Sequence, residues 1–265
     1  MRCLARAKAS PAGTPLPVDQ LLGQALGLYR SAFAPLLGAA ALGAVLSIAL
    51  DVAFSPTSFV AFYLWLSVTL VPLAVAQAAI LIIVIEKRKG AAPNIVSGYT
   101  LALTFSPAYL GAWVIYFGSL MLALVTVILI PLAGFLVARW ALYGPAVVVE
   151  RSPSALALIR SWRLTKGRAW RTFGIQILMI AISFIANLVS IGIAAALGGG
   201  TGLAIVAGGL MLTLVQPLWT ITNLLLFEDY RRLTDEAQAD ANTGQDALPP
   251  VGPPPMEPKD DLRRT

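Results

Sequence analysis

The sequence predicts an all-α polytopic integral membrane helical bundle of about six transmembrane helices, with amphipathic interfacial helices beside them. Three observations predict it. Of 265 residues 58% are hydrophobic and 12% charged, against about a quarter charged in soluble domains, and the mean hydropathy is +0.79. Apolar stretches near the roughly 20 residues that a bilayer core demands recur along the chain. Of the 19 Lys and Arg residues, all but Arg139 lie in the N-terminus, in two loops of one side, or near the C-terminus, the bias of cytoplasmic segments.

The first element begins at Pro17, after residues 1–16, which read as a disordered N-terminus. Arg2, Arg6 and Lys8 stand there without the apolar core of a signal peptide, so the first span drives insertion. Val18, Leu21, Leu22, Ala25, Leu26, Tyr29 and Phe33 then recur at helical spacing, with Pro17 suited to the first turn. This short amphipathic helix is expected to lie in the membrane interface. Spans follow at 34–54 and 59–85, joined by the uncharged turn Ser55-Pro56-Thr57-Ser58. Glu86-Lys87-Arg88-Lys89 closes the second span on the cytoplasmic side.

Residues 93–105 form a second amphipathic segment, with Ile95, Val96, Tyr99, Ala102 and Leu103 on one face. The apolar block after it suits two spans, 107–130 and 132–149, with Pro131 and Gly134 marking the break. Ser152-Pro153 opens a third amphipathic helix as N-cap and first-turn proline, and Lys166-Gly167 closes it. Its apolar face is Ala155, Leu158, Ile159 and Trp162, opposite Arg160, Arg163 and Lys166. The last spans, 170–197 and 203–227, are joined by a glycine-rich turn. Coarsely, the chain is one unit used three times, an amphipathic helix and two spans, with a helix-kinking proline in each second span: Pro72, Pro145 and Pro217. The membrane domain thus covers 17–234, and 235–265 is a disordered, proline-rich cytoplasmic tail.

Composition also excludes chemistries. With no histidine and Cys3 as the one cysteine, His-based catalysis, intrachain disulfides and Cys-cluster metal sites are ruled out. No catalytic residue, metal or cofactor is expected, and no basic stretch forms the soluble, aromatic-interleaved groove that nucleic acid needs.

Three stretches, LLGQALGLYRSAFAPLL at 21–37, RWALYGPAVVVERSPSALALIRSWRLTKGRAWR at 139–171 and LLLFEDYRRL at 224–233, resemble the membrane domain associated with glycerophosphoryl diester phosphodiesterases, a family of bacterial six-span modules. The resemblance covers most of residues 16–234 and implies a stand-alone membrane module of the bacterial cytoplasmic membrane. The soluble phosphodiesterase barrel found fused to such modules is missing here, and its histidine chemistry has no counterpart in this chain.

The candidate sites follow from the cost of polarity in lipid. Arg139 lies eleven residues before Glu150, roughly 16 Å along one straight helix and near mid-membrane. A charge there costs at least ~2.5 kcal/mol and calls for a partner; Asp51, Gln77, Asn187 or a lipid phosphate qualify. Three readings stand open: a clamp between spans, a lipid or ligand site, and snorkelling. Arg160, Arg163, Lys166, Arg168 and Arg171, with Trp162 and Trp170 among them, make a basic aromatic belt, which either orients the fifth span or holds a headgroup. Gln77, Gln176, Asn187, Gln216 and Asn223 serve either as hydrogen-bonding glue or as the lining of a cavity. The sequence therefore points to a non-enzymatic membrane module that binds or organises phospholipid or anchors a partner protein or a second copy, with both termini cytoplasmic. The alternative is a small-solute transporter or channel.

Overall fold

A computed structural model describes residues 13–53, 59–125 and 130–246, and among these the chain is helical with no strand. Nine helices are described: α1 (Val18–Ser31), α2 (Phe33–Ala53), α3 (Phe59–Arg88), α4 (Ile95–Val125), α5 (Ile130–Trp140), α6 (Tyr143–Glu150), α7 (Ser154–Leu164), α8 (Ala169–Ala196) and α9 (Thr201–Asp246). Among the described residues, six segments are long and apolar enough to span a membrane: Phe33–Leu50, Val68–Arg88, Ile95–Leu120, Leu132–Glu150, Ala169–Ala196 and Val206–Ala239. The outer surface agrees: Ile177, Ile180, Phe184, Ile185, Leu188 and Ile191 lie exposed along α8. Water would not tolerate so large an apolar patch, whereas lipid does. The chain is a multi-pass membrane protein.

The core sits where α2, α3, α4 and α9 meet. Ala39 and Ala40 of α2 and Ala74, Ala76, Ala78 and Ala79 of α3 are buried, and small side chains let membrane helices approach closely. Gly43 marks a close approach of α2 to α3, because a Cβ there would fall 2.5 Å from the Ala76 Cβ and 3.1 Å from the Pro72 carbonyl oxygen. Pro72 and Pro217 lie inside the continuous helices α3 and α9.

Several expectations are corrected. Part of the apolar stripe of α1 meets protein and not the acyl boundary: the helix packs on α9, with Leu21 and Ala25 fully buried and Tyr29 donating to the Leu214 carbonyl at 3.1 Å. Its cap is Pro17, one residue before the helix. The second amphipathic segment is not separate either, since α4 runs unbroken through Pro107, so the threefold unit is not repeated at that point. Pro131 and Gly134 lie inside α5 and not at a break; residues 126–129, and the turn expected at 55–58, lie outside the described residues. Helix α9 continues to Asp246, well past the expected start of the tail, supported by Arg231–Asp235 and Arg232–Glu236 pairs one turn apart. Residues 247–265 and 1–12 lie outside the described residues.

Residues 13–16 are tied to this end of α9. The buried Asp229 carboxylate accepts from the Leu16 N–H at 3.2 Å, from Arg171 at 3.0 Å and from Arg232 at 3.1 Å. Arg171 also donates to the Leu16 carbonyl, Arg232 to the Thr14 carbonyl, and Gly13 N–H to Glu236. The beginning of the described chain and the far end of α9 therefore share one end of the bundle, where Arg88 pairs with Glu228 as well.

Candidate functional site

The fourth span is two helices, not one. Proline at position 145 has no N–H for the Ala141 carbonyl four residues back, and its ring crowds that carbonyl. The helix accordingly stops at Trp140 and restarts at Tyr143, with Pro145 in the first turn of α6. Such a break leaves backbone groups that lipid cannot satisfy. Ser161, fully buried on α7, satisfies two of them: its hydroxyl accepts from the Leu142 N–H at 3.1 Å and donates to the Arg139 carbonyl at 2.8 Å. Thr165 lies one turn on, with its hydroxyl 2.9 Å from the Ser161 carbonyl and 3.4 Å from the Arg139 carbonyl.

Helix α7 reaches this position because the chain reverses sharply at Arg151, whose φ of 53° is left-handed. A side chain there costs about 1–2 kcal/mol. Helix α7 begins at Ser154 with Pro153 as its cap and no side-chain capping bond, so Ser152 is not the N-cap that the sequence suggested. Gly167, with φ of +78°, ends the segment as expected, one residue later than a C′ position. The buried face of α7 is Ala157, Leu158, Ser161 and Leu164. Of the apolar face read from the sequence, Leu158 alone is buried, while Ile159 and Trp162 point outward with Leu156.

Arg139 is held by that outward tryptophan. Its guanidinium carbon lies 5.0 Å from the ring centroid of Phe135, one turn back on α5, and 5.0 Å from that of Trp162. The two rings meet edge to face at 5.3 Å. Cation–π attraction of this kind is worth ~2 kcal/mol when desolvated, yet an aromatic ring supplies no oxygen acceptor for the N–H groups. Nε and Nη1 are buried and have no hydrogen-bond partner among the described residues.

Two of the partners expected for Arg139, Gln77 and Asn187, are placed elsewhere. The Gln77 carbonyl accepts from the Tyr109 hydroxyl at 3.2 Å, Asn187 lies beside Gly208 on α9, and the Asp51 side chain lies outside the described residues. The break explains this, since the depth of 16 Å assumed one straight helix from Arg139 to Glu150 and the side chain is turned toward α7 instead.

The basic belt divides in two. Arg160 makes a two-pronged pair with Glu150, at 2.9 and 3.0 Å, and Arg231 approaches the same carboxylate at 3.9 Å. Arg168 and Arg171 face the Tyr230 ring at 5.5 and 5.3 Å. Arg163 and Lys166 remain exposed, without an ion pair among the described residues. Arg163 stands at an apolar groove of about 440 Å³ lined by Ile115, Trp140, Leu158, Ile159 and Trp162. One side of Trp162's indole system thus serves the groove and the same residue cages Arg139.

Sequence reasoning missed Ser161, Thr165 and Phe135. The spacing of Leu158, Ser161 and Thr165 places them on one helical face, but Ser161 reads as polar among arginines, and only the fold shows that this face is the buried one. No protein-family model, curated protein or solved structure matches the chain.

Proposed function

We propose that this chain is a non-enzymatic membrane module that holds an anionic phospholipid at α7, with the headgroup phosphate on Arg139 and Arg163 and an acyl chain in the apolar groove. The observation that carries the reading is the pair of buried, unmatched N–H groups on Arg139. A cation within a membrane bundle needs an anion, and a lipid phosphate brings both the acceptor oxygens and the apolar chains that suit Ile115, Leu158, Ile159 and Trp162. Arg163 and Lys166 add charge that attracts an anionic leaflet by about 1 kcal/mol each. The resemblance of residues 139–171 to the bacterial module family supports a bacterial cytoplasmic membrane. The Lys and Arg bias supports cytoplasmic termini.

Titrating the detergent-purified protein with phosphatidylglycerol tests the reading. A ligand that binds the folded state raises Tm by mass action, so the wild type should gain thermal stability with added lipid and Arg139→Leu should not. An equal gain in both proteins contradicts the site.

A further inference from the structure

A second site lies inside the bundle, separate from the lipid groove. The α5–α6 break opens beside a cavity of about 140 Å³ whose wall includes Gln77, Tyr109, Tyr143, Gln176, Thr220 and Asn223, with no charged side chain in its lining. This volume far exceeds the 10–15 Å³ that one water requires. Within the wall, one end of each amide is used. Gln77 accepts from Tyr109 at 3.2 Å, and the Gln176 NH2 donates to the Asn223 carbonyl at 2.7 Å. The Gln77 NH2, the Gln176 carbonyl and the Asn223 NH2 make no hydrogen bond among the described residues, and all three residues line the cavity. Donors and an acceptor thus alternate around one space, and the first turn of α6 adds backbone N–H groups that have no intrahelical acceptor. Leaving such groups unmatched in a low-dielectric interior is costly.

We propose that this cavity binds a small uncharged polyol. A hydroxyl both donates and accepts, so a polyol answers the Asn223 and Gln77 donors and the Gln176 acceptor together. Its C–H faces suit the Trp113 and Trp219 rings that complete the wall. A charged solute finds no counter-ion there, and desolvating it would go uncompensated.

The test is saturation binding of tritiated glycerol and tritiated myo-inositol to the full chain in nanodiscs, with glycerol 3-phosphate as the charged comparison. At least one polyol should bind saturably, the phosphate ester should not compete, and Asn223→Leu and Gln77→Leu should each weaken binding by about tenfold. Asn223→Asp keeps the size and the acceptor for Gln176 while removing the donor, and should weaken binding equally if the leucine variants are not recovered folded. Polyol binding should be equal in nanodiscs with and without phosphatidylglycerol, which separates this site from the lipid reading. Absence of saturable binding by both polyols would show a cavity for water only and overturn the proposal, as would equal binding of the phosphate ester or binding that survives the cavity substitutions.

Discussion

The Ser161 hydroxyl on α7 donates to the Arg139 carbonyl on α5 at 2.8 Å while it accepts from the Leu142 N–H at 3.1 Å. One side chain thereby closes a helix break and fixes the backbone of the residue whose guanidinium lies against Trp162. The break, the reversal at Arg151 and the position of Arg139 are therefore one structural unit.

Ser161→Ala should destabilise the protein by about 1–3 kcal/mol, because it leaves a buried carbonyl and a buried N–H unmatched. Thermal unfolding in a fixed detergent measures the change. Melting at the wild-type temperature would mean that the break is satisfied in some other way.

The class of the fold and its six spans are legible in the sequence because lipid imposes them: length and apolarity decide a span whatever packs beside it. The break before Pro145 is different. A proline in an apolar run reads as a kink, and whether the helix bends or stops depends on what meets the freed backbone groups, here a serine nineteen residues beyond Leu142. The environment of Arg139 was hidden for the same reason, since straight-helix arithmetic put it near mid-membrane, where Asp51, Gln77, Asn187 or a lipid phosphate qualified as partners. The direction of α7 was ambiguous because its apolar residues fall on two adjoining faces, and contact with α4 and α6 selects the one that carries Ser161. The end of α9 was misread because its charged residues resemble a tail, although their spacing of four also supports a helix.

Asp229 anchors residues 13–16 to α9. Its side chain is fully buried between Arg171 and Arg232, and truncating one member of a buried ionic cluster costs about 3–5 kcal/mol. Asp229→Ala should release residues 13–16 from α9, read as faster amide hydrogen exchange at Leu16. Unchanged protection of that amide would contradict the anchoring role.

Charge reversal at Arg160 and Arg163 tests how far the belt directs topology. The pair between Arg160 and Glu150 is partly exposed, so its loss should cost no more than about 1 kcal/mol. The remaining Lys and Arg residues of the same loop still mark its side. Reporter fusions at the loops should therefore keep the wild-type pattern, and an inverted pattern would assign orientation to these two arginines.

The most direct measurement is native mass spectrometry of the protein released from nanodiscs of mixed lipid, with Arg139→Leu and Arg139→Lys beside it. The account predicts that the wild type retains an anionic phospholipid selectively, that Arg139→Leu loses it while remaining folded, and that Arg139→Lys retains part of it. Selective retention of the same lipid by Arg139→Leu, or no selective lipid on the wild type together with a loss of folded protein in Arg139→Leu, would reduce Arg139 to a clamp between helices and contradict the lipid site.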